Sequence, residues 1–228
     1  MTDEQAHEYY LAKEEFLAEL EREDFNSTSI FRMFAALQEI VCGFWNYRIK
    51  GKMKLFEFRH YRLETFMDAV ADIPEGKKVI VWAKFQYDIQ GIVKALTDKH
   101  GEDSVAQFHG NIKERDRPAQ VKLFRGDARF FVSTPSCGGH GLTLNESHFV
   151  IFYNNGFKYS ERLQAEDRDH RIGQEHDVTY IDIHCTDSID DRINKALSDK
   201  EDAATSFRQE VENNIKDKNK LKELIRNL

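Results

Sequence analysis

The sequence predicts an α/β protein, with a parallel sheet flanked by helices and further helices at both ends of the chain. Two observations support this prediction. Short, continuously apolar runs such as VIVWA (79–83) and ARFFVS (128–133) are typical of strands that are buried on both faces. These runs alternate with segments of helical periodicity from about residue 77 to residue 199. Strands that alternate with helices form a parallel sheet covered on both sides.

The first third of the chain is predicted to be mainly helical. In chain order we expect a charged amphipathic helix at 3–23, a second helix at about 29–45, a basic and aromatic extended connector at 46–60, and a third helix at about 62–72. The apolar stripe of the first helix consists of Tyr9, Phe16, Leu17 and Leu20. The turn Pro74-Glu75-Gly76 then marks the end of this extension.

The central part is predicted to contain five strands with helices between them. The strands are expected at 79–83, near 104–108, at 128–133, at 148–153 and at 178–184, and the helices from Ile89 to Leu96, at about 112–125, at about 160–172 and at about 189–199. Residues 201–228 are charged and are expected to form one helix or a pair of helices.

Composition excludes several classes of protein. Apolar residues make up 40% of the 228 residues, but no apolar run approaches the length of a bilayer span, so we expect no membrane association. The three cysteines, Cys42, Cys137 and Cys185, lack the spacing of a zinc or disulfide framework. They are expected to be reduced thiols in a cytoplasmic protein. The net charge of −7 opposes tight stand-alone binding to nucleic acid, although it leaves room for a local cationic strip.

The segment QAEDRDHRIGQ (164–174) is the strongest candidate for chemistry. On a helix, Gln164, Arg168 and Arg171 lie at i, i+4 and i+7, within one narrow stripe. Two guanidinium groups and an amide on one face suit an anion with several oxygens, such as a terminal phosphate. The alternative is a solvated face on which Glu166, Asp167 and Asp169 pair with the arginines, and spacing alone does not decide between the two.

A glycine-rich segment, TPSCGGHGLTL (134–144), follows the apolar run at 128–133. It therefore falls at the carboxyl end of a predicted strand, where parallel sheets place their ligands. A glycine-rich turn lets backbone N–H groups approach phosphates closely. Glycine turns after strands are common, so this segment is informative only together with its neighbours.

Taken together, these segments resemble the C-terminal motor lobe of the Swi/Snf-related branch of superfamily-two helicases. The matching segments come in the family's order: KKVIVWAKF, FHG, STPSCGGHGLTL, QAEDRDHRIGQ and VTYIDIHCTDSIDDRI. The compact spacing is similar to that of phage and bacterial members. The resemblance implies a RecA-like lobe at 74–200, preceded at 1–73 by the helical end of a first motor lobe and the inter-lobe connector, and followed at 201–228 by a helical extension.

The resemblance also implies roles for particular residues. Arg168 and Arg171 would be arginine fingers that reach the γ-phosphate of ATP. ATP binding would further involve Gln164, Gly139 and Gly141. The residues expected along the DNA track are Lys84, His109, Gly110, Ser133, Thr134, Gly138 and His140. For several of these a structural role is an equal alternative: His109 as a turn histidine, Lys84 as a surface lysine, and Ser133 and Thr134 as caps of backbone groups.

One departure from a complete motor is plain in the sequence. No G-x-x-x-x-G-K-[ST] phosphate loop is present, and no acidic metal-binding pair follows an apolar strand. Phosphoryl transfer needs both a phosphate cradle and a Mg²⁺ ligand. We therefore expect half of an ATPase site, with ATP and Mg²⁺ held mainly by an N-terminal RecA-like lobe, duplex DNA as the track, and no hydrolysis by this chain alone. The alternatives are a non-catalytic module that binds DNA or protein, and an unrelated doubly wound enzyme, which the ordered motifs disfavour.

Overall fold

A computed structural model describes residues 1–22, 27–137, 142, 144–168, 177–214 and 217–228. The helices are α1 (Asp3–Glu21), α2 (Ser27–Val41), α3 (Arg62–Asp72), α4 (Gln86–His100), α5 (Arg117–Arg125), α6 (Tyr159–Glu166), α7 (Ile189–Ser198), α8 (Ala203–Asn213) and α9 (Lys218–Arg226). The strands are β1 (Phe44–Ile49), β2 (Lys52–Glu57), β3 (Val79–Trp82), β4 (Val105–Phe108), β5 (Phe130–Ser133), β6 (Phe149–Phe152) and β7 (Thr179–Asp182). Short 3-10 helices precede β4 and α5, at Glu102–Ser104 and Glu114–Asp116.

The chain divides into two compact units. The helical unit comprises Met1–Arg62, Phe157–Tyr159 and Cys185–Leu228, and the sheet unit comprises Leu63–Gly156 and Ser160–His184. Helix α7, which the sequence placed with the strands, packs within the helical unit. The domain boundaries predicted at residues 73 and 200 stay a prediction.

The sheet unit contains the predicted parallel sheet. Its five strands lie in the order β4-β5-β3-β6-β7, and every neighbouring pair is parallel. In β3, Val79 and Val81 join one apolar cluster, whereas Ile80 and Trp82 join another. Because successive side chains of a strand point to opposite faces, these two clusters are the cores on the two sides of the sheet. The continuous apolar runs therefore predicted a sheet that is covered on both faces, as observed.

The helical unit is built around a core shared by α1, α2, α7, α8 and α9. The predicted apolar stripe of α1 is buried in it, with Tyr9 3%, Phe16 6%, Leu17 6% and Leu20 7% exposed. Helix α1 starts at a capping box, in which the Thr2 hydroxyl accepts from the Gln5 amide and the Gln5 side chain accepts from the Thr2 amide. The charged C-terminal stretch forms the pair of helices α8 and α9 rather than a single helix.

The extended connector predicted at 46–60 is instead a hairpin. Helix α2 ends at Val41 rather than near 45, because Gly43 takes a left-handed φ of 92° that leaves the helix. Strands β1 and β2 then pair antiparallel, with Ile49 opposite Lys52. The two residues between them, Lys50 and Gly51, have φ of 49° and 78°. Two positive φ values in a two-residue loop are the signature of a hairpin turn that matches the strand twist.

Two further boundaries differ from the predictions. The helix predicted at 112–125 is a 3-10 turn followed by α5, which begins at Arg117 with a proline in its first turn. The helix predicted at 160–172 ends at Glu166 within the described residues. No helix in the described part of the chain combines the length and apolar character that a bilayer span requires.

Candidate functional site

The candidate site lies at the carboxyl edge of the parallel sheet. Because all five strands run in the same direction, the residues that follow them collect at one edge. In strand order this edge carries His109 after β4, Thr134 after β5, Lys84 after β3, Asn154 after β6, and Asp182 at the end of β7. Three of these five residues were predicted from the sequence as site residues.

A buried polar chain fixes the loop after β3. The Lys84 backbone N–H donates to Asn154 Oδ1 over 2.6 Å, and Asn154 Nδ2 donates to Asp88 Oδ2 over 2.5 Å. Asn154 and Asp88 are 1% and 3% exposed, so this chain is held away from water. The half-buried Lys84 side chain lies with Nζ 4.9 Å from the centre of the Phe85 ring. The sequence offered one clue to Asn154, namely a polar pair directly after an apolar strand.

His109 is buried at this edge, with 4% exposure, and Nε2 lies 3.2 Å from the side-chain oxygen of Gln107. Burial lowers the pKa of His109, and the positive charge of Arg117 lowers it further. The ring is therefore neutral near pH 7 and does not offer a positive charge to a phosphate. The following Gly110 is exposed, and a Cβ there would meet no other atom.

Ser133 and Thr134 make bonds to the protein itself. Ser133 is fully buried, and its hydroxyl donates to the carbonyl of Phe108 in the neighbouring strand. Thr134 is 5% exposed, and its hydroxyl accepts from the Cys137 backbone N–H over 3.3 Å. This geometry corresponds to the capping alternative for both residues. Their assignment to the DNA track stays a prediction.

Two residues of the predicted phosphate-binding stripe, Gln164 in α6 and Arg168 just after it, lie in different surroundings. Gln164 is exposed, whereas Arg168, in the turn after the helix, is 5% exposed. The Arg168 backbone N–H donates to the Ala165 carbonyl over 3.3 Å, so the last turn is tightened. The Arg168 carbonyl accepts from the Leu144 N–H over 3.0 Å. This bond joins the end of the glycine-rich segment to the segment that carries the arginine pair.

Arg162, which was not predicted from the sequence, holds α6 against the sheet. Arg162 Nη1 donates to Asn155 Oδ1 over 2.9 Å, and Nη2 donates to Asp182 Oδ2 over 3.1 Å. Its Nε donates to Glu166 over 2.6 Å. Burial lowers the pKa of Arg162, but the carboxylates of Asp182 and Glu166 outweigh burial and raise it. Glu166, which the alternative interpretation paired with the candidate fingers, thus bonds to Arg162.

The remaining predicted site residues lie outside the described residues. They are Gly138, Gly139, His140, Gly141 and Arg171. No group of three or more His, Cys, Asp or Glu side chains forms a metal site within the ranges that the structure describes.

Comparisons with known proteins support a helicase lobe. Residues 61–173 match the model of the helicase conserved C-terminal domain. The ATP-dependent helicase fft3 of Schizosaccharomyces pombe is 29% identical over 133 residues, which are 56% of this chain and 14% of that protein. The Homo sapiens chromatin-remodeling ATPase INO80 is 26% identical over 161 residues, 68% of this chain and 10% of that protein. The chain thus spans only a small part of the length of these relatives.

Two solved structures share the fold. The Sulfolobus solfataricus SWI2/SNF2 ATPase core in complex with dsDNA has a TM-score of 0.66 at 21% identity, covering 88% of this chain and 42% of that chain. The C-terminal part of the Fun30 ATPase domain has a TM-score of 0.53 at 23% identity, covering 60% of this chain and 44% of that chain. The predicted fold class, a RecA-like parallel sheet flanked by helices, is confirmed.

The sheet topology is that of a RecA-like lobe. Residues 61–173 carry the helicase conserved C-terminal domain, and the chain is similar to Snf2-related members of superfamily-two helicases. The narrower similarity to compact phage and bacterial members stays a prediction.

Proposed function

We propose that this chain is the second motor lobe of an ATP-driven DNA translocase and acts only with a first RecA-like lobe. The Leu144–Arg168 backbone bond is the observation that supports this most directly. It couples the glycine-rich segment, assigned to ATP and DNA, to the turn that carries the first candidate arginine finger. A movement at either segment is thereby transmitted to the other, as coupling of hydrolysis to translocation requires.

The chemistry divides between the two lobes. ATP with Mg²⁺ supplies the transferable phosphoryl group, and both are held by the first lobe, because this sequence lacks a phosphate loop. Arg168 and Arg171 neutralise the charge that develops on that group, and Gln164, Gly139 and Gly141 complete the contacts to ATP. Arginine fingers of this kind act on the transition state, so they raise kcat more than they tighten ATP binding.

The DNA track follows the same edge of the sheet. The side chains of His109, Ser133 and Thr134 are buried and bond to their own protein, whereas Lys84 is only half-buried and Gly110 is exposed. We therefore assign the main phosphate contacts to Lys84, Gly110, Gly138 and His140, with the other three supporting the backbone. Duplex DNA is the proposed track, because the similar Sulfolobus ATPase core was solved in complex with dsDNA. Contacts to phosphates position a protein without reading the base sequence.

DNA-stimulated ATP hydrolysis by the full-length enzyme tests this proposal. Arg168→Ala should lower kcat by roughly 10³- to 10⁵-fold, as comparable arginine fingers do, with little change in DNA affinity. Arg168→Lys should rescue poorly, because lysine lacks the planar fork. Arg115→Ala is a matched control, since that side chain is 78% exposed and pairs only with its neighbour Asp116 within the described residues.

The chain by itself should show no ATP hydrolysis above background, with or without DNA. Robust turnover by the chain alone would mean that it owns a complete ATPase site. A kcat within about threefold of wild type for Arg168→Ala would instead favour the alternative, a non-catalytic module that binds DNA or protein.

A further inference from the structure

The β1–β2 hairpin concentrates positive charge in an acidic chain. Between Phe44 and Glu57 the sequence places four cations and one carboxylate, Glu57, whereas the whole chain carries −7. The four cations, Arg48, Lys50, Lys52 and Lys54, are all exposed. No ion pair joins any of them to a carboxylate in the described part of the chain, so their charge is available to an anionic partner.

Strand β2 places these cations beside apolar side chains. Lys52, Lys54 and Phe56 alternate with Met53 and Leu55, so the first three share one side of the strand. Every residue of β2 is exposed, and Met53, Leu55 and Phe56 are 56%, 52% and 40% exposed. Lysines two residues apart stand about 6.6 Å apart along a strand, a distance comparable to that between successive phosphates of a nucleic-acid strand.

Protection of a sheet edge does not account for this composition. Lysines on an edge strand discourage pairing with other chains, but exposed Met, Leu and Phe side chains on the same strand promote it. Cations that alternate with apolar and aromatic side chains are instead typical of surfaces that bind nucleic-acid strands. There the cations contact phosphates and the rings stack on unpaired bases.

Strand β1 anchors the hairpin to the helical unit. The Asn46 backbone N–H donates to Glu39 Oε2 of α2 over 2.9 Å, and the Tyr47 hydroxyl donates to Glu15 Oε1 of α1 over 3.4 Å. A groove of about 680 Å³ between the hairpin and these helices is lined by the same two carboxylates and by Arg32 and Arg48, so its charges balance.

We propose that β2 and the Lys50–Gly51 turn bind an unpaired DNA strand. Lys50, Lys52 and Lys54 contact successive phosphates, and Phe56 stacks on a base. This inference rests on the proposed function for the identity of the polymer, and it adds a second DNA contact, on a different unit from the track at the sheet edge.

Fluorescence anisotropy with this full chain tests the proposal on a labelled single strand and on a duplex of the same length. The variant Lys52→Glu/Lys54→Glu keeps the edge strand charged and reverses only the sign. We expect its affinity for the single strand to fall at least tenfold. The slope of log K against log salt should decrease in magnitude by about 1.4, the value for two lost phosphate contacts on a single strand. Phe56→Ala should weaken binding about fivefold or more and leave the slope unchanged, because no charge is lost.

Lys218→Glu/Lys220→Glu is the matched control, since these exposed lysines of α9 give the same change in net charge elsewhere on the helical unit. If the hairpin variant binds within twofold of this control, the proposal is wrong. Equal losses for duplex and single strand would also overturn it, because stacking on Phe56 requires unpaired bases. So would tighter binding of an oligoglutamate peptide than of DNA, which would identify an acidic protein as the partner.

Two measurements keep the test independent of folding and of the motor proposal. Urea unfolding identifies any variant that fails to fold. If the charge reversal does not fold, Lys52→Gln/Lys54→Gln replaces it, and this variant should also bind the single strand more weakly than the control does. Arg168→Ala should not change binding of the single strand by the hairpin. If the full-length Arg168→Ala enzyme keeps a kcat within about threefold of wild type while hairpin binding is intact, the proposed function alone is rejected.

Discussion

Arg162 in α6 and Asp182 at the end of β7 are joined side by side, with Arg162 Nη2 3.1 Å from Asp182 Oδ2. The guanidinium carbon of Arg162 also lies 3.6 Å from the centre of the Phe152 ring in β6. One side chain thus ties the helix to the two strands at one side of the sheet. Since α6 leads directly into the turn at Arg168, we infer that this pair positions the candidate arginine finger.

Arg162→Ala should lower the free energy of unfolding by about 2–3 kcal/mol, because it removes charged hydrogen bonds and leaves partly buried acceptors without a donor. Chemical denaturation measures this. Lys94→Ala is the control, because the pair of Lys94 with Asp98 is exposed and should contribute only about 0.3–0.5 kcal/mol. If Arg162→Ala and Lys94→Ala lower the free energy of unfolding equally, Arg162 does not hold α6 against the sheet.

The Tyr9 hydroxyl links three distant segments of the helical unit. It donates to the Leu228 carbonyl over 2.6 Å and accepts from the Ile189 N–H over 2.8 Å. Tyr9→Phe leaves both backbone groups buried without that partner and should cost about 1–3 kcal/mol of the free energy of unfolding. The adjacent Tyr10 is 56% exposed, so Tyr10→Phe should change it by less than about 0.5 kcal/mol. If Tyr9→Phe leaves the free energy of unfolding unchanged, water replaces the lost hydroxyl.

Two glycines with positive φ should tolerate alanine very differently. At Gly43, φ is +92° and an added Cβ would lie 2.1 Å from His60 Cδ2. At Gly51, φ is +78° but no atom lies within 4 Å of an added Cβ. Gly51→Ala should therefore cost only the conformational strain, about 1–2 kcal/mol, and Gly43→Ala should cost more, because His60 must also move. Thermal unfolding of both variants gives the comparison, and equal melting temperatures would contradict it.

His109 should make the protein less stable in mild acid. Its pKa is lowered in the folded state, so the unfolded chain binds a proton more readily than the folded chain does. The contribution of His109 is fully present above its unfolded pKa, about 6.5, and is lost as the pH falls below that value. Urea unfolding between pH 7.5 and 5.5 should show a smaller loss of stability for His109→Gln than for wild type. His7→Gln, at an exposed position, should follow the wild-type curve.

Much of the sheet unit could be predicted because the signals for its strands and helices lie in residues that are close together in the sequence. The apolar runs at β3, β5 and β6 and the helical periodicity between them are properties of neighbouring residues, and they predicted the correct strands and the parallel sheet. The arginine turn and the glycine-rich segment were recognised in the same way, by residues close together in sequence. The hairpin was missed because its signal, Lys50-Gly51, has only one of the residues that favour positive φ.

The sequence alone therefore predicted the α/β class and the helicase C-terminal domain, and it led us to propose a half-site, since each depends on short motifs and local periodicity. Only the tertiary structure decided which polar groups meet. Asn154 bonds to the backbone of Lys84 70 positions away, and Tyr9 bonds to Leu228 across 219 positions. Such partners are chosen by the packing of whole elements, because a buried donor or acceptor must find whichever group the fold brings within reach. No local pattern in the sequence records that choice.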